Sequence, residues 1–308
     1  MNILITGAGG YIGRQVARQL AEQHHVIGID LRSDSDAGFD LRAMDIRNPA
    51  LRDLVIDQQI THVIHLAAVL EFSGDRARDY DIDVNGTRNV LDACLAGGVQ
   101  HLTVTSSGAA YGYYADNPAW ISETDPLRGN VEMPYADHKR QVEELLAEYR
   151  QAHPELTQLV LRVGTVIGSG TRNLITNLFE KKRLLAIRGY DSPFVFIWDQ
   201  DLVGIIRHGV ETGHGGQFNV AGDGCLTMDE LGALLGKPVL KLPLPLIKAG
   251  LIIGHRLGLS RYAPEQIKFI QFRPVLDNQR LKDAFGYVPA KSSREAFLHW
   301  RDHQRAER

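Results

Sequence analysis

Tyr135-Ala-Asp-His-Lys139 places a phenol and an ammonium four residues apart. On a helix, residues i and i+4 stand on one face, one turn apart. The Lys139 charge is therefore expected to draw the Tyr135 pKa down from about 10 toward neutrality. A phenolate so poised takes a proton from an alcohol while hydride leaves the same carbon. In reverse, the phenol protonates the alkoxide formed as a carbonyl is reduced. Ser107 ends the run Gln100-His-Leu-Thr-Val-Thr-Ser-Ser107, where its hydroxyl can hold the reacting oxygen. Tyr135, Lys139 and Ser107 are the candidate catalytic residues. Alone, Y-x-x-x-K also arises in ordinary amphipathic helices, so the reading needs a hydride acceptor.

The opening residues supply one. Ile3 to Ile5 is a short apolar run, Thr6 opens a glycine turn, and Ile12, Val16, Ala17 and Leu20 recur at helical spacing. The glycines fit G-x-x-G-x-x-G through Gly7, Gly10 and Gly13, not G-x-G-x-x-G, which would demand glycine at Ile12. Small residues let the backbone approach a pyrophosphate, toward which the amides of Tyr11 and Ile12 point from a helix N-terminus. Val26 to Asp30 reads as a second strand ending in an acid, about 20 residues beyond the turn. The carboxylate of Asp30 suits adenosine ribose hydroxyls and repels a 2′-phosphate. NAD is thus preferred to NADP, although Arg32, after Leu31, could accommodate that phosphate. Asp45-Ile46 is placed to face the adenine, and Leu66-Ala67-Ala68 to let the backbone lie along the cofactor. His62 and His65 on one strand point to opposite faces and have no third ligand at suitable spacing, so they read as packing residues and no metal is expected.

These groups must be positioned by a regular framework. A helix is expected over about 80–96, a fifth strand ending at Ser107, a helix from Tyr135 with Val142, Leu145, Leu146 and Tyr149 on one face, and a strand over Leu156 to Val163. Strands alternating with helices predict an α/β, doubly wound parallel sheet covered on both faces. Beyond Gly168 the pattern loosens, and Pro193, Pro238, Pro243, Pro245, Pro264, Pro274 and Pro289 suggest a smaller lobe. The expected division is a dinucleotide-binding domain at 1–168, rejoined by about 192–222 with Phe194 to Trp198 returning to the main sheet. Residues 169–308 then form mainly a substrate lobe over the strand ends.

Composition excludes some classes. At 308 residues, 44% hydrophobic, 23% charged and a formal net charge of −3, without a long basic run, nucleic acid is not an expected partner. Cys94 and Cys225 form no paired or zinc pattern, and no secretory apolar region precedes the first strand, so a reducing cytoplasm is expected. Leu242 to Leu259 is apolar, but its prolines and its Lys248, His255 and Arg256 argue against a membrane span.

Taken in order, the glycine turn, Asp30, Asp45-Ile46, His65 to Ala68, Asn85-Gly-Thr-Arg-Asn-Val, Ser106-Ser-Gly-Ala-Ala-Tyr-Gly112, Tyr135 to Lys139 and Leu161-Arg-Val resemble an extended short-chain dehydrogenase/reductase of the NAD-dependent epimerase/dehydratase kind. Trp198-Asp-Gln-Asp-Leu and Leu276 to Tyr287 match more loosely. The resemblance implies a Rossmann-like domain with a smaller C-terminal substrate lobe. It implies Tyr135 as acid/base, Lys139 on the nicotinamide ribose, Ser107 orienting substrate, and Asn85 near the cofactor in a water relay to Lys139. Val163 and Gly164 would lie near the nicotinamide. A homodimer through helices near 80–96 and 135–152 is implied as well.

The reaction is narrowed by departures from that pattern. Gly108-Ala109 follows Ser107 where dehydratases carry an Asp-Glu pair, which disfavours loss of water. Relative to sugar-nucleotide 4-epimerases, Thr165 replaces an asparagine and Phe194 an arginine suited to a diphosphate. Arg273, Arg188 and Lys182 are the candidate substitutes. Leu240 to Ile247 and Leu251-Ile-Ile-Gly254 read as core or as an apolar substrate wall. Two enzymatic readings remain: sugar-nucleotide epimerisation with transient oxidation by bound NAD, or net oxidation or reduction of a less polar alcohol, as in 3β-hydroxysteroid dehydrogenase-like relatives. A non-catalytic dinucleotide sensor is the third.

Overall fold

The computed structural model describes residues 1–70, 73–256 and 267–306. Pro264 and the end of the apolar stretch, from 257 onward, lie outside the described residues. The first half alternates strand and helix as β1 (Asn2–Thr6), α1 (Tyr11–Ala21), β2 (His25–Asp30), β3 (Asp40–Ala43), α2 (Leu51–Asp57) and β4 (His62–His65). It continues as α3 (Arg76–Tyr80), a π-helical segment (Asp81–Asn85), α4 (Gly86–Gly97), β5 (His101–Ser107), a 3-10 turn (Gly108–Tyr111), α5 (Pro134–Ala152) and β6 (Thr157–Val163). The second half holds β7 (Thr165–Ile167), α6 (Leu174–Glu180), β8 (Leu184–Ile187), β9 (Phe196–Trp198), α7 (Asp199–Thr212), β10 (Gly216–Val220), α8 (Met228–Leu235), β11 (Val239–Leu242), α9 (Leu244–Arg256), α10 (Lys268–Gln271), α11 (Gln279–Asp283) and α12 (Ser293–Ala306).

Seven parallel strands form the central sheet in the order β10-β6-β5-β4-β1-β2-β3. Side chains alternate between its faces because the strand period is two. Ile3 and Ile5 of β1 and Leu159 and Leu161 of β6 face one core with α1 and α7. Leu4 and Val160 face the other, with α2, α4 and α5. This is the expected doubly wound, Rossmann-like sheet, and its order reverses between β1 and β4. That reversal opens a crevice at the carboxyl ends of those strands.

One strand differs from expectation. Phe196–Trp198 does not enter the main sheet; β9 pairs in parallel with β7, as β8 does with β11. The main sheet is instead extended by β10, whose Gly216 to Val220 pair with Leu159 to Val163. Aromatic residues in and just before β9 account for this. Phe194 and Phe196 stack at 5.7 Å, and Phe179, Phe297 and Trp300 close a separate apolar core around them. The late apolar stretch divides too: Ile247 is buried, whereas Leu246, Ile252 and Ile253 of α9 are exposed. No helix among the described residues is long and apolar enough to cross a membrane.

A buried relay ties the sheet at the crevice. Thr6 Oγ1 lies 2.7 Å from His65 Nδ1, and His65 Nε2 lies 3.0 Å from Thr87 Oγ1 on α4. Burial foremost, with the nearby Lys139 charge, holds the His65 pKa down at about 3. In an unfolded chain the imidazole titrates near 6.5, so between those values the unfolded state binds the extra proton. Stability from this site is complete above about pH 6.5 and is lost as pH falls toward 3, at about 1.4 kcal/mol per pH unit. Urea unfolding is expected to show about 2 kcal/mol less stability at pH 5 than at pH 7, with a shallower slope in His65→Gln. Identical slopes would refute this account.

Candidate active site

The opening turn leaves no room for side chains. Gly7 has a φ of +69°, and a Cβ there would meet the Ala67 backbone nitrogen at 2.8 Å. At Gly13 a Cβ would lie 2.2 Å from the Gly7 carbonyl oxygen, because α1 starts directly against the turn. Gly10 is the N-cap of α1, and no side chain caps the first turn. The amides of Tyr11 and Ile12 thus open a helix N-terminus suited to an anion. Gly9 matters too, although the G-x-x-G-x-x-G pattern does not require glycine at its position. Its N–H donates to Asp30 Oδ2 at 3.0 Å, and a Cβ there would crowd the Asp30 carboxyl. Asp30 Oδ1 accepts from the Leu31 N–H at 2.7 Å, which fixes the carboxylate over the turn. This cradle fits a dinucleotide diphosphate with a ribose at Asp30. Leu31 and Arg32 are exposed beside it.

The other wall comes from β4 and the three residues after it. The Leu66 N–H donates to the Thr6 carbonyl at 3.2 Å, and the Ala67 N–H to Thr6 Oγ1 at 3.3 Å. Leu66, Ala67 and Ala68 thereby run past Gly7 as bare backbone. Asp45 is paired with Arg47 at 2.6 Å, and those hydrogen bonds hold its carboxyl below the usual range. The Ile46 side chain is buried against Gly86, so only its main chain is available to a ligand. Val163 closes β6 and is buried.

At the end of β5 the candidate catalytic residues come together. Pro134 occupies the first turn of α5, where its missing N–H costs nothing. Tyr135 follows it, and the Lys139 ammonium lies 5.8 Å from the centroid of the Tyr135 ring. Lys139 is buried, and Nζ donates to the Thr105 carbonyl at 3.0 Å. Two residues on, Ser107 Oγ accepts from the Ala109 N–H at 3.1 Å. Tyr135 packs with Ala109, Tyr113, Met133, Phe269 and Phe272 in a small apolar cluster. Phenol, ammonium and hydroxyl therefore share one end of β5, two strands from the glycine turn.

The placement of Asn85 differs from that of its neighbour Asp83. Asn85 is exposed, and its Nδ2 donates to Asp81 Oδ1 at 2.9 Å. Asp83 turns inward instead: Oδ1 accepts from the Val69 N–H at 2.8 Å, and Oδ2 lies 3.2 Å from His138 Nδ1. The π-helical turn inserts a residue into the helical phase, and Asp83 and Asn85 face different sides of it. The clue in the sequence was an acid, Asp83, flanked by the apolar Ile82 and Val84. Spacing did not reveal a second contact. The Tyr11 hydroxyl donates to Asp199 Oδ2, joining the glycine turn to the start of α7, and burial followed by that carboxylate pushes its pKa up.

Of the three cations proposed for a substrate anion, Lys182 and Arg188 are exposed. Arg273 is not: its guanidinium lies 3.7 Å over the Phe194 ring and 4.8 Å from Phe269. Among the described residues, no group of His, Cys, Asp or Glu is arranged to hold a metal ion.

Known proteins align with this arrangement. The NAD dependent epimerase/dehydratase family matches residues 3–221. An uncharacterized protein of Mycobacterium tuberculosis is 24% identical, over 96% of this chain and 82% of its own length. The N-acetyl-alpha-D-glucosaminyl-diphospho-ditrans,octacis-undecaprenol 4-epimerase of Escherichia coli O157:H7 is 28% identical over 58% of this chain, which spans 53% of that protein. The structure of Thermus thermophilus UDP-glucose 4-epimerase in complex with NAD superposes with a TM-score of 0.77. It covers 99% of both chains at 22% identity, a likeness of fold.

Proposed function

Because this chain belongs to the NAD-dependent epimerase/dehydratase family, we propose that it is an epimerase acting on a sugar nucleotide with its own bound NAD. The observation that carries the reading is the convergence of Tyr135, Lys139 and Ser107 at the end of β5, beside a turn shaped for a diphosphate. Bound NAD would supply the hydride acceptor and, on return, the donor. Ser107 holds the reacting hydroxyl, and Tyr135 removes its proton. Lys139, fixed by the Thr105 carbonyl, supplies positive charge beside the Tyr135 ring and a donor to a ribose. Asp30 takes the adenosine ribose, which favours NAD over NADP. The proton held on Tyr135 returns to the oxygen once the ketone presents its other face. Gly108 and Ala109 place no acid beside Ser107, so elimination of water lacks its proton donor.

Residues 1–168 with α7 and β10 are proposed as the cofactor domain, and most of 169–308 as the substrate lobe. Pairing of two copies through α4 and α5, and a cytoplasmic location, belong to the same proposal. The UDP-sugar name of one relative and the undecaprenol-linked name of the other support a diphosphate-bearing sugar as substrate.

One observation favours a second reading, net oxidation of a less polar alcohol: the cluster of Tyr113, Met133, Phe269 and Phe272 around Tyr135 is apolar. A single experiment separates them. Purified protein, given UDP- and dTDP-sugars without added NAD, is expected to interconvert epimers while the absorbance of reduced cofactor stays flat. Reduced cofactor accumulating in step with product would overturn epimerisation in favour of the dehydrogenase.

A further inference from the structure

We propose that Arg273 is the substrate-anion receptor of this site, taking an oxyanion bidentately on Nε and Nη2. On the sugar-nucleotide reading, on which this inference rests for its choice of ligand, that oxyanion is the diphosphate.

Arg273 follows α10 and is anchored on one edge only. Nη1 donates to the Ser192 carbonyl at 2.6 Å and lies 3.2 Å from Ser192 Oγ. The Arg273 backbone N–H donates to the same hydroxyl at 3.0 Å. Nε and Nη2, the pair that forms the fork of a guanidinium, are buried and have no acceptor among the described residues. A buried donor without a partner is costly, and a buried charge without a counter-charge more so. No carboxylate among the described residues offsets it; the phenol of Tyr113 is the acidic group that acts on it, and burial pushes its pKa down to about 9.

The surroundings hold the guanidinium in a plane, and that edge is left without an acceptor among the described residues. Phe194 lies beneath it at 3.7 Å and Phe269 beside it at 4.8 Å. Phe269 in turn meets Tyr113 edge-on at 5.5 Å, within the cluster that holds Tyr135. Arg273 therefore borders the same apolar wall as the acid/base residue. Stacking on Phe194 presets the orientation that a bidentate contact to phosphate or carboxylate requires. An arriving oxyanion satisfies both orphan donors and neutralises the charge, so its affinity gains what the empty fork lacks.

Calorimetric titration of the full-length protein loaded with NAD tests this, using UDP, uridine and methyl glucuronide as probes. UDP is expected to bind wild type more tightly than uridine. In Arg273→Gln that advantage falls by about thirtyfold or more. Arg273→Lys, which keeps charge without the fork and guards against misfolding of the first variant, is expected to retain only part of it. NAD affinity should be the same in all three proteins. Undiminished UDP binding in both variants would overturn the assignment while leaving the sugar-nucleotide reading in place. Arg273-dependent binding of methyl glucuronide, with none of UDP, would uphold the oxyanion receptor and sink the sugar-nucleotide reading instead. Binding of no anion in an Arg273-dependent way would overturn the receptor.

Discussion

Tyr135→Phe is expected to lower kcat by about two to four orders of magnitude, the range that a positioned acid/base contributes, while NAD affinity holds. The change removes one oxygen and keeps the ring that packs against Ala109, Tyr113 and Phe269. Folding is therefore little disturbed. The cradle for the diphosphate belongs to other elements, the turn between β1 and α1 and the backbone of Leu66 to Ala68, so cofactor binding survives. Activity measured with the best sugar nucleotide, together with NAD titration, separates the two effects. A variant that turns over at the wild-type rate would remove Tyr135 from the mechanism. Parallel loss of activity and NAD binding would show damage to the cofactor site instead.

Glu143→Gln is expected to lower the unfolding free energy by about 3–5 kcal/mol, the cost of leaving a buried charge without its partner. Glu143, on α5, receives Arg162 of β6 through Nε at 3.0 Å and Nη2 at 2.9 Å, and both side chains are buried. Ser106 Oγ donates to Glu143 Oε1 at 2.5 Å. The far side of the guanidinium donates to the Tyr111 hydroxyl at 2.7 Å and the Glu123 carbonyl at 3.1 Å. Tyr111 then donates to Asn219 of β10 at 2.8 Å. The network thus clamps α5 to β5, β6 and β10 next to the segments that carry Ser107, Tyr135 and Lys139. Ser106 precedes Ser107, and Glu143 lies one turn beyond Lys139, so loosening it should also lower activity. Urea unfolding measures the effect. The double change Glu143→Leu, Arg162→Met should be less damaging than Glu143→Gln, because it buries no unpaired charge. A loss of under about 1 kcal/mol in the single variant would show that water or another group satisfies Arg162.

Much of this site was legible because its requirements are local. Gly7, Gly10 and Gly13 lie within seven residues, and the space they vacate is set by one turn of backbone. Tyr135 and Lys139 are one helical turn apart, so their shared face follows from helix geometry alone. The apolar runs of β1 and β6 likewise announced strands buried on both faces, as the two cores show.

Longer-range choices were not legible in that way. That Asp83 turns inward and Asn85 outward accompanies a π-helical turn that shifts the helical phase, with Asp83 meeting Val69 and His138. Whether β9 or β10 extends the main sheet depended on aromatic packing from α6 and α12, more than a hundred residues apart in the chain. Arg273, Arg188 and Lys182 look equivalent as letters, but only tertiary structure buries Arg273 against Phe194. The sequence by itself determined the family, the parallel sheet, the glycine cradle and the phenol–ammonium pair. Tertiary structure alone decided the inward face of the broken helix, the edge strand and the buried cation. The physical reason is distance along the chain: backbone sterics and helical period act over a few residues, whereas burial and charge pairing depend on which distant segments meet.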